Sequence, residues 1–138
     1  MNNRLGVLLV VVLAYGAASL SHHVHNAEFL DDYPNMPAWL SRAWVYAAWC
    51  SVTAVGITGV ALVRRQRRIA GLCMLGIYGA CGLDGLGHYA VAPVSAHTAT
   101  ANVTIWLEGA TGLLLLVAVV LFICRVRSQS HGRVRNLA

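Results

Sequence analysis

The sequence predicts an all-α integral membrane protein, a bundle of four transmembrane helices with both termini cytoplasmic. Three observations predict it. The chain is 58% hydrophobic and only 11% charged, whereas a soluble domain usually carries about 25% charged residues. Four apolar runs are each long enough for the roughly 20 residues that cross a hydrocarbon core of about 30 Å. The basic residues, all of them arginine, sit in short clusters that fall on one side of a four-span chain.

The first span is expected over about residues 5–25, and nothing breaks it before Glu28. Asp31-Asp32-Tyr33-Pro34-Asn35-Met36-Pro37 then ends any helix, because proline cannot continue one and restrains the residue before it. The second span covers about 38–63. The third covers about 69–91, with Pro93 closing it. The fourth covers about 102–124 and leaves a basic tail, 125–138. With 138 residues and no repeat or linker the chain reads as a single domain.

Orientation follows from arginine bias. Arg4, then Arg64, Arg65, Arg67 and Arg68, then Arg125, Arg127, Arg133 and Arg135 share one side, and the other side receives only Arg42. The positive-inside rule makes the first side cytoplasmic, in a bacterial-type inner membrane. Residues 1–21 also resemble a secretory signal, with Arg4, an apolar stretch and small residues at Ala17, Ala18, Ser19 and Ser21. Cleavage before His22 would create an N-terminal histidine able to chelate copper. In either case residues from His22 onward face the outside.

Composition also excludes classes. Arginines flanking apolar runs are topology signals, not a nucleic-acid-binding face. Without lysine there is no Schiff base or lysine nucleophile. Cys50, Cys73, Cys81 and Cys124 form no C-x-x-C pair and are expected to act as small buried hydrophobes, which argues against disulfide exchange. Trp39, Trp44 and Trp106 fall at the expected outer boundary as an aromatic belt. Gly76, Gly79, Gly82 and Gly85 recur every three residues in the third span, where small residues let helix backbones approach closely.

The polar residues sort by side. All five carboxylates, Glu28, Asp31, Asp32, Asp84 and Glu108, map to the outer half, as do His22, His23, His25, His88 and His97; only His131 lies in the tail. At 1.5 Å rise per residue, Asp84 lies about 22 Å along the third helix, some 6–8 Å below the outer edge of the core. Glu108 reaches a similar depth on the fourth. Intramembrane carboxylates are costly and are normally paired or functional. Histidines supply partners: Asp84 and His88 are i and i+4 on one helix face, and His22 and His25 are i and i+3, with Glu28 a further turn along. His23 faces away from His22 and His25 and reads as a solvated side chain. Asp31 and Asp32 read as loop and cap residues.

Imidazole and carboxylate at these spacings are what a metal site in a helix bundle uses. The expected ligands are His22, His25, Asp84, His88 and His97, with Glu28 and Glu108 as catalytic groups or proton carriers. Iron or copper suits the mixed nitrogen and oxygen set, with zinc or manganese next. The Asp-x-x-x-His arrangement with a later histidine, Asp84, His88 and His97, resembles the copper ligands in the C subunit of particulate methane monooxygenase; it covers three residues and the last spacing differs.

The leading functional expectation is a metal-dependent membrane oxidoreductase whose substrate, a lipophilic molecule or quinone, enters from the bilayer near the outer leaflet. The alternatives are a b-type haem protein with histidines on facing helices and Arg42 on a propionate, a small proton- or metal-coupled transporter using Asp84 and Glu108, and an accessory subunit of a larger membrane complex. A homo-oligomer stays open as an assembly.

Overall fold

The computed structural model describes residues 2–135, without the side chains of 2–4, 127 and 129–135, so the tail residues 136–138 and the side chains of Arg4, Arg127, His131, Arg133 and Arg135 lie outside the described set. Five α-helices are joined by loops and 3-10 turns: α1 (Asn2–Glu28), α2 (Arg42–Arg64), α3 (Arg68–Cys81), α4 (His88–Val91) and α5 (Ala99–Arg135). Four stretches are long and apolar enough to cross a membrane: Leu5–Glu28, Arg42–Arg64, Arg68–Val91 and Ala99–Val126. The expected all-helical architecture, with four stretches able to span a membrane, is therefore present.

α1 and α5 run antiparallel and meet along two matching seams. On α1 the seam residues are Leu8, Val12, Tyr15, Ser19, His22 and Asn26, with Ala18 and Ala27 also buried beside them. On α5 they are Ala101, Ile105, Glu108, Gly112, Leu115 and Val119, with Gly109 also buried beside them. Both sets step by four and three residues in turn, the spacing that keeps one face toward a partner helix. The apolar part of both seams joins Leu72, Leu75 and Tyr78 of α3 in the main core. The same seams turn polar toward the other end, at Ser19, His22, Asn26 and Glu108. Lipid tails are as apolar as leucine, so close packing supplies the cohesion.

Glycine makes that packing close. A Cβ on Gly79 would lie 2.9 Å from the Gly112 carbonyl oxygen, and one on Gly112 would lie 2.7 Å from the Gly79 carbonyl oxygen and 3.0 Å from Gly82 Cα. Between α2 and α3, a Cβ on Gly71 would lie 2.6 Å from the Val63 nitrogen. The α2–α3 turn places Gln66 at φ 63°, a left-handed conformation uncommon for a side-chain-bearing residue.

Three boundaries differ from the sequence expectation. α2 begins at Arg42, not near 38, because Ser41 holds the extended backbone of a helix cap and its carbonyl accepts from Val45 N–H. α5 continues past 124 to Arg135, with no proline to stop it. The third span is not one α-helix: α3 ends at Cys81, Asp84–Gly87 forms a 3-10 turn, and α4 follows from His88. Gly82, Gly85 and Gly87 weaken α-helical preference across this stretch. The cysteines are free, but Cys50, Cys73 and Cys124 are exposed on the bundle surface, a correction to the expectation that they are buried.

Candidate functional site

The polar seam opens on a cavity of about 770 Å³ between α1, α2 and the α3–α4 stretch, within the usual range of ligand pockets. One wall carries His22, His23, Asn26, Asp84, His88 and Glu108. The facing wall, from α2, is Trp44, Val45, Ala48 and Val52. Met36, Pro37 and Leu40 of the loop before α2 also line it.

Glu108 is the centre of the polar wall and is 2% exposed. Its two oxygens face neighbouring histidines of α1: Oε2 lies 3.6 Å from His22 Nε2 and Oε1 lies 3.5 Å from His23 Nδ1. His23 Nδ1–H also donates to the Ser19 carbonyl at 2.9 Å. Gly85 makes room for this group, since a Cβ there would stand 3.0 Å from Glu108 Oε2 and 3.7 Å from His22 Nε2. The sequence signals neither contact in full. His23 reads as solvated, yet it is one of the two imidazoles at the carboxylate, and Gly85 reads as one more packing glycine.

Tyr33 is the second centre, and sequence reasoning misses it because it stands in an aperiodic, proline-flanked loop. It is 2% exposed, and its ring touches four histidines, with centroid separations of 4.7 Å to His88, 5.7 Å to His25, 5.9 Å to His22 and 6.3 Å to His97. Its hydroxyl lies 2.9 Å from His25 Nδ1 and 3.5 Å from Thr104 Oγ1. Burial pushes this hydroxyl up to about 12, with the Thr104 contact opposing the shift.

These groups form a chain from the buried carboxylate toward the surface. His22 faces Glu108 through Nε2 and Thr104 through Nδ1 at 3.4 Å. Thr104 faces Tyr33, Tyr33 faces His25, and His25 Nε2 lies 3.8 Å from Asp32 Oδ2. Asp32 is 32% exposed and accepts from the Thr98 hydroxyl at 3.1 Å. Only the Tyr33–His25 link has the length of a strong hydrogen bond; the others are close contacts that a small side-chain movement shortens.

The remaining expected site residues are dispersed. His88 Nε2 accepts from the Asn26 amide at 3.3 Å and its ring packs on His22 at 5.4 Å. Asp84 is exposed on the 3-10 turn, and no hydrogen bond or ion pair joins it to His88 or His97. The i, i+4 rule that paired Asp84 with His88 assumes α-geometry, which the 3-10 stretch does not have. His97 is 7% exposed; its Nδ1–H donates to the Pro93 carbonyl at 3.1 Å and its Nε2 is buried without a partner. Glu28 stands outside the cavity, held by Arg42 at 2.7 Å and by the Tyr46 hydroxyl at 2.9 Å, where it ties α1 to α2. Asp31 caps no helix through its side chain.

Among the described residues, no three histidine, cysteine or acidic side chains are arranged to hold a metal ion. The His22 and His88 rings meet edge to face, at an interplanar angle of 66°. No protein family, curated protein or solved structure matches the chain.

Proposed function

We propose that this protein binds the polar end of a lipophilic molecule, a quinone or a molecule with a comparable headgroup, in the α1–α2 cavity and exchanges a proton with it. The observation that carries the reading is the contrast between the cavity walls. Glu108, His22 and His23 converge on one side, and the apolar α2 face of Trp44, Val45, Ala48 and Val52 lies on the other. A carboxylate between two imidazoles both donates and accepts protons, the requirement for general acid–base work on a bound carbonyl or hydroxyl. His22, Thr104, Tyr33, His25 and Asp32 then form the route by which the proton reaches water while the ligand fills the cavity. The proposed setting is a bacterial-type inner membrane with this end of the bundle on the non-cytoplasmic side and both termini inside, an orientation that the arginine clusters support through the positive-inside rule.

The test is binding of a short-chain quinone to the purified protein in detergent, read by quenching of Trp44, which lines the cavity. The expected result is saturable quenching that Trp44→Phe removes and that Ala48→Phe, which fills the cavity, weakens at least tenfold. Quenching that does not saturate, or that Ala48→Phe leaves unchanged, overturns the proposal.

A metal centre, with iron or copper favoured, is the second reading, and one observation favours it. His97 and His23 each commit Nδ1–H to a backbone carbonyl, and His97 keeps a buried, unpartnered Nε2. An imidazole in that state is set to coordinate metal. Coordination would draw His88, His97 and neighbouring side chains together from the positions described. Near-stoichiometric metal, lost in His97→Ala, supports this reading, and protein that stays metal-free after loading removes it.

A further inference from the structure

Between α1 and α2 an apolar groove of about 720 Å³ runs toward the arginine-bearing end of the bundle. Val12, Leu13, Gly16 and Leu20 form its α1 side, and α2 lines the other side from Trp49 to its end at Arg64, with Arg65 next in the turn. Sixteen residues of helix at 1.5 Å each make that side about 24 Å long, longer than the ~15 Å of one leaflet. Gly16 and Gly56 form part of the floor, where the Tyr78 side chain takes the space a Cβ would need: 3.3 Å from Gly16 and 2.7 Å from Gly56. Along the walls Leu13 is 71% and Ile57 66% exposed, so the protein itself leaves the groove uncovered.

The groove ends at Arg64 and Arg65, both exposed lining residues. Among the described residues neither forms an ion pair, and all five side-chain carboxylates lie toward the opposite end of the bundle. No side-chain carboxylate of the described residues therefore pairs with these guanidinium groups, which leaves them open to an anion from outside the chain. Two adjacent arginines at the polar end of an apolar channel match a phosphate attached to an acyl chain, because guanidinium pairs with phosphate through two parallel hydrogen bonds.

We propose that this groove is a binding site for an anionic phospholipid of the arginine-side leaflet, with one acyl chain between α1 and α2 and the phosphate on Arg64 and Arg65. The site is separate from the His/carboxylate cavity, and its test does not depend on the function proposed for that cavity.

The experiment is native mass spectrometry of the delipidated full chain, titrated with phosphatidylglycerol, phosphatidylcholine or inorganic phosphate. The expected result is at least a fivefold preference for phosphatidylglycerol over phosphatidylcholine, with no retained phosphate. Arg64→Gln/Arg65→Gln should abolish the preference. Ala61→Trp, at an exposed groove position, should weaken both lipids while leaving the unfolding temperature unchanged. Arg67→Gln, outside the groove, should leave the preference intact. Equal binding of the two lipids, an undiminished preference in the double variant, an equal loss in Arg67→Gln, or free phosphate held as well as lipid would each overturn the proposal.

Discussion

At the residue scale the account rests on Glu108, Tyr33 and the histidines between them. Tyr33→Phe removes the hydroxyl bonded to His25 but keeps the ring among its four histidines, so it should cost about 1 kcal/mol of stability. Tyr33→Ala empties that space and should cost about 3–5 kcal/mol, both values read from thermal unfolding in detergent. The Tyr33 hydroxyl also carries a pH signature. Its ordinary value is 10.0 and the fold raises it to about 12. Between those values the folded state keeps a proton that the unfolded chain has released, so the Tyr33 contribution makes stability fall as pH rises from 10 to 12. Tyr33→Phe should flatten that part of the stability–pH curve, and an unchanged slope would place the titration elsewhere. By contrast, Glu28 and Arg42 form an interhelical ion pair at the surface, so Glu28→Gln should cost only about 0.5 kcal/mol and leave quinone quenching unaltered.

At the element scale, the glycines divide into positions that need hydrogen in place of a side chain and positions that tolerate one. Gly79 faces the backbone of Gly112, and backbone cannot move aside, so Gly79→Ala should cost about 2–3 kcal/mol. On Gly76 a Cβ would meet only Val119 Cγ1 at 3.5 Å, ordinary contact, so Gly76→Ala should change stability by less than about 0.5 kcal/mol. Similar losses at both positions would contradict this assignment of the α3–α5 contact. The elements also show what the sequence could and could not convey. Span number and approximate limits were legible because apolar length and arginine clusters are local properties. The seam positions of His22 and Glu108 were legible in principle from the four-three spacing they share with Leu8, Val12 and Tyr15, and with Leu115 and Val119. The break after Cys81 was not legible, since three-residue glycine spacing is compatible with close packing in an unbroken helix. With α-geometry lost there, the inferred Asp84–His88 pair was lost too. Tyr33 was hidden because no periodicity locates a loop residue, and Glu28 was drawn from the site by Arg42 and Tyr46, tertiary partners that spacing along one helix does not reveal.

At the scale of the whole molecule, a gradient runs along the bundle: apolar and glycine-packed where α1, α3 and α5 cross, polar and histidine-rich at the end that holds the cavity. Trp39, Trp44 and Trp106 are exposed around that end, as an interfacial belt requires. The orientation proposed from the arginine pattern would give this gradient a direction, which reporter fusions check. A fluorescent protein fused after Ala138 should fold and fluoresce in the cytoplasm, and a periplasmic phosphatase fused after Thr98 should be active. The reverse pattern would invert the bundle and move the cavity to the cytoplasmic side. The central claim, that Glu108 exchanges a proton with a ligand in the cavity, is tested most directly by calorimetric titration of the short-chain quinone in buffers of differing ionisation enthalpy. Binding should be linked to proton transfer in the native protein, and Glu108→Gln should still bind but lose the linkage. Binding with no proton linkage in the native protein, or the same linkage in both, would contradict it.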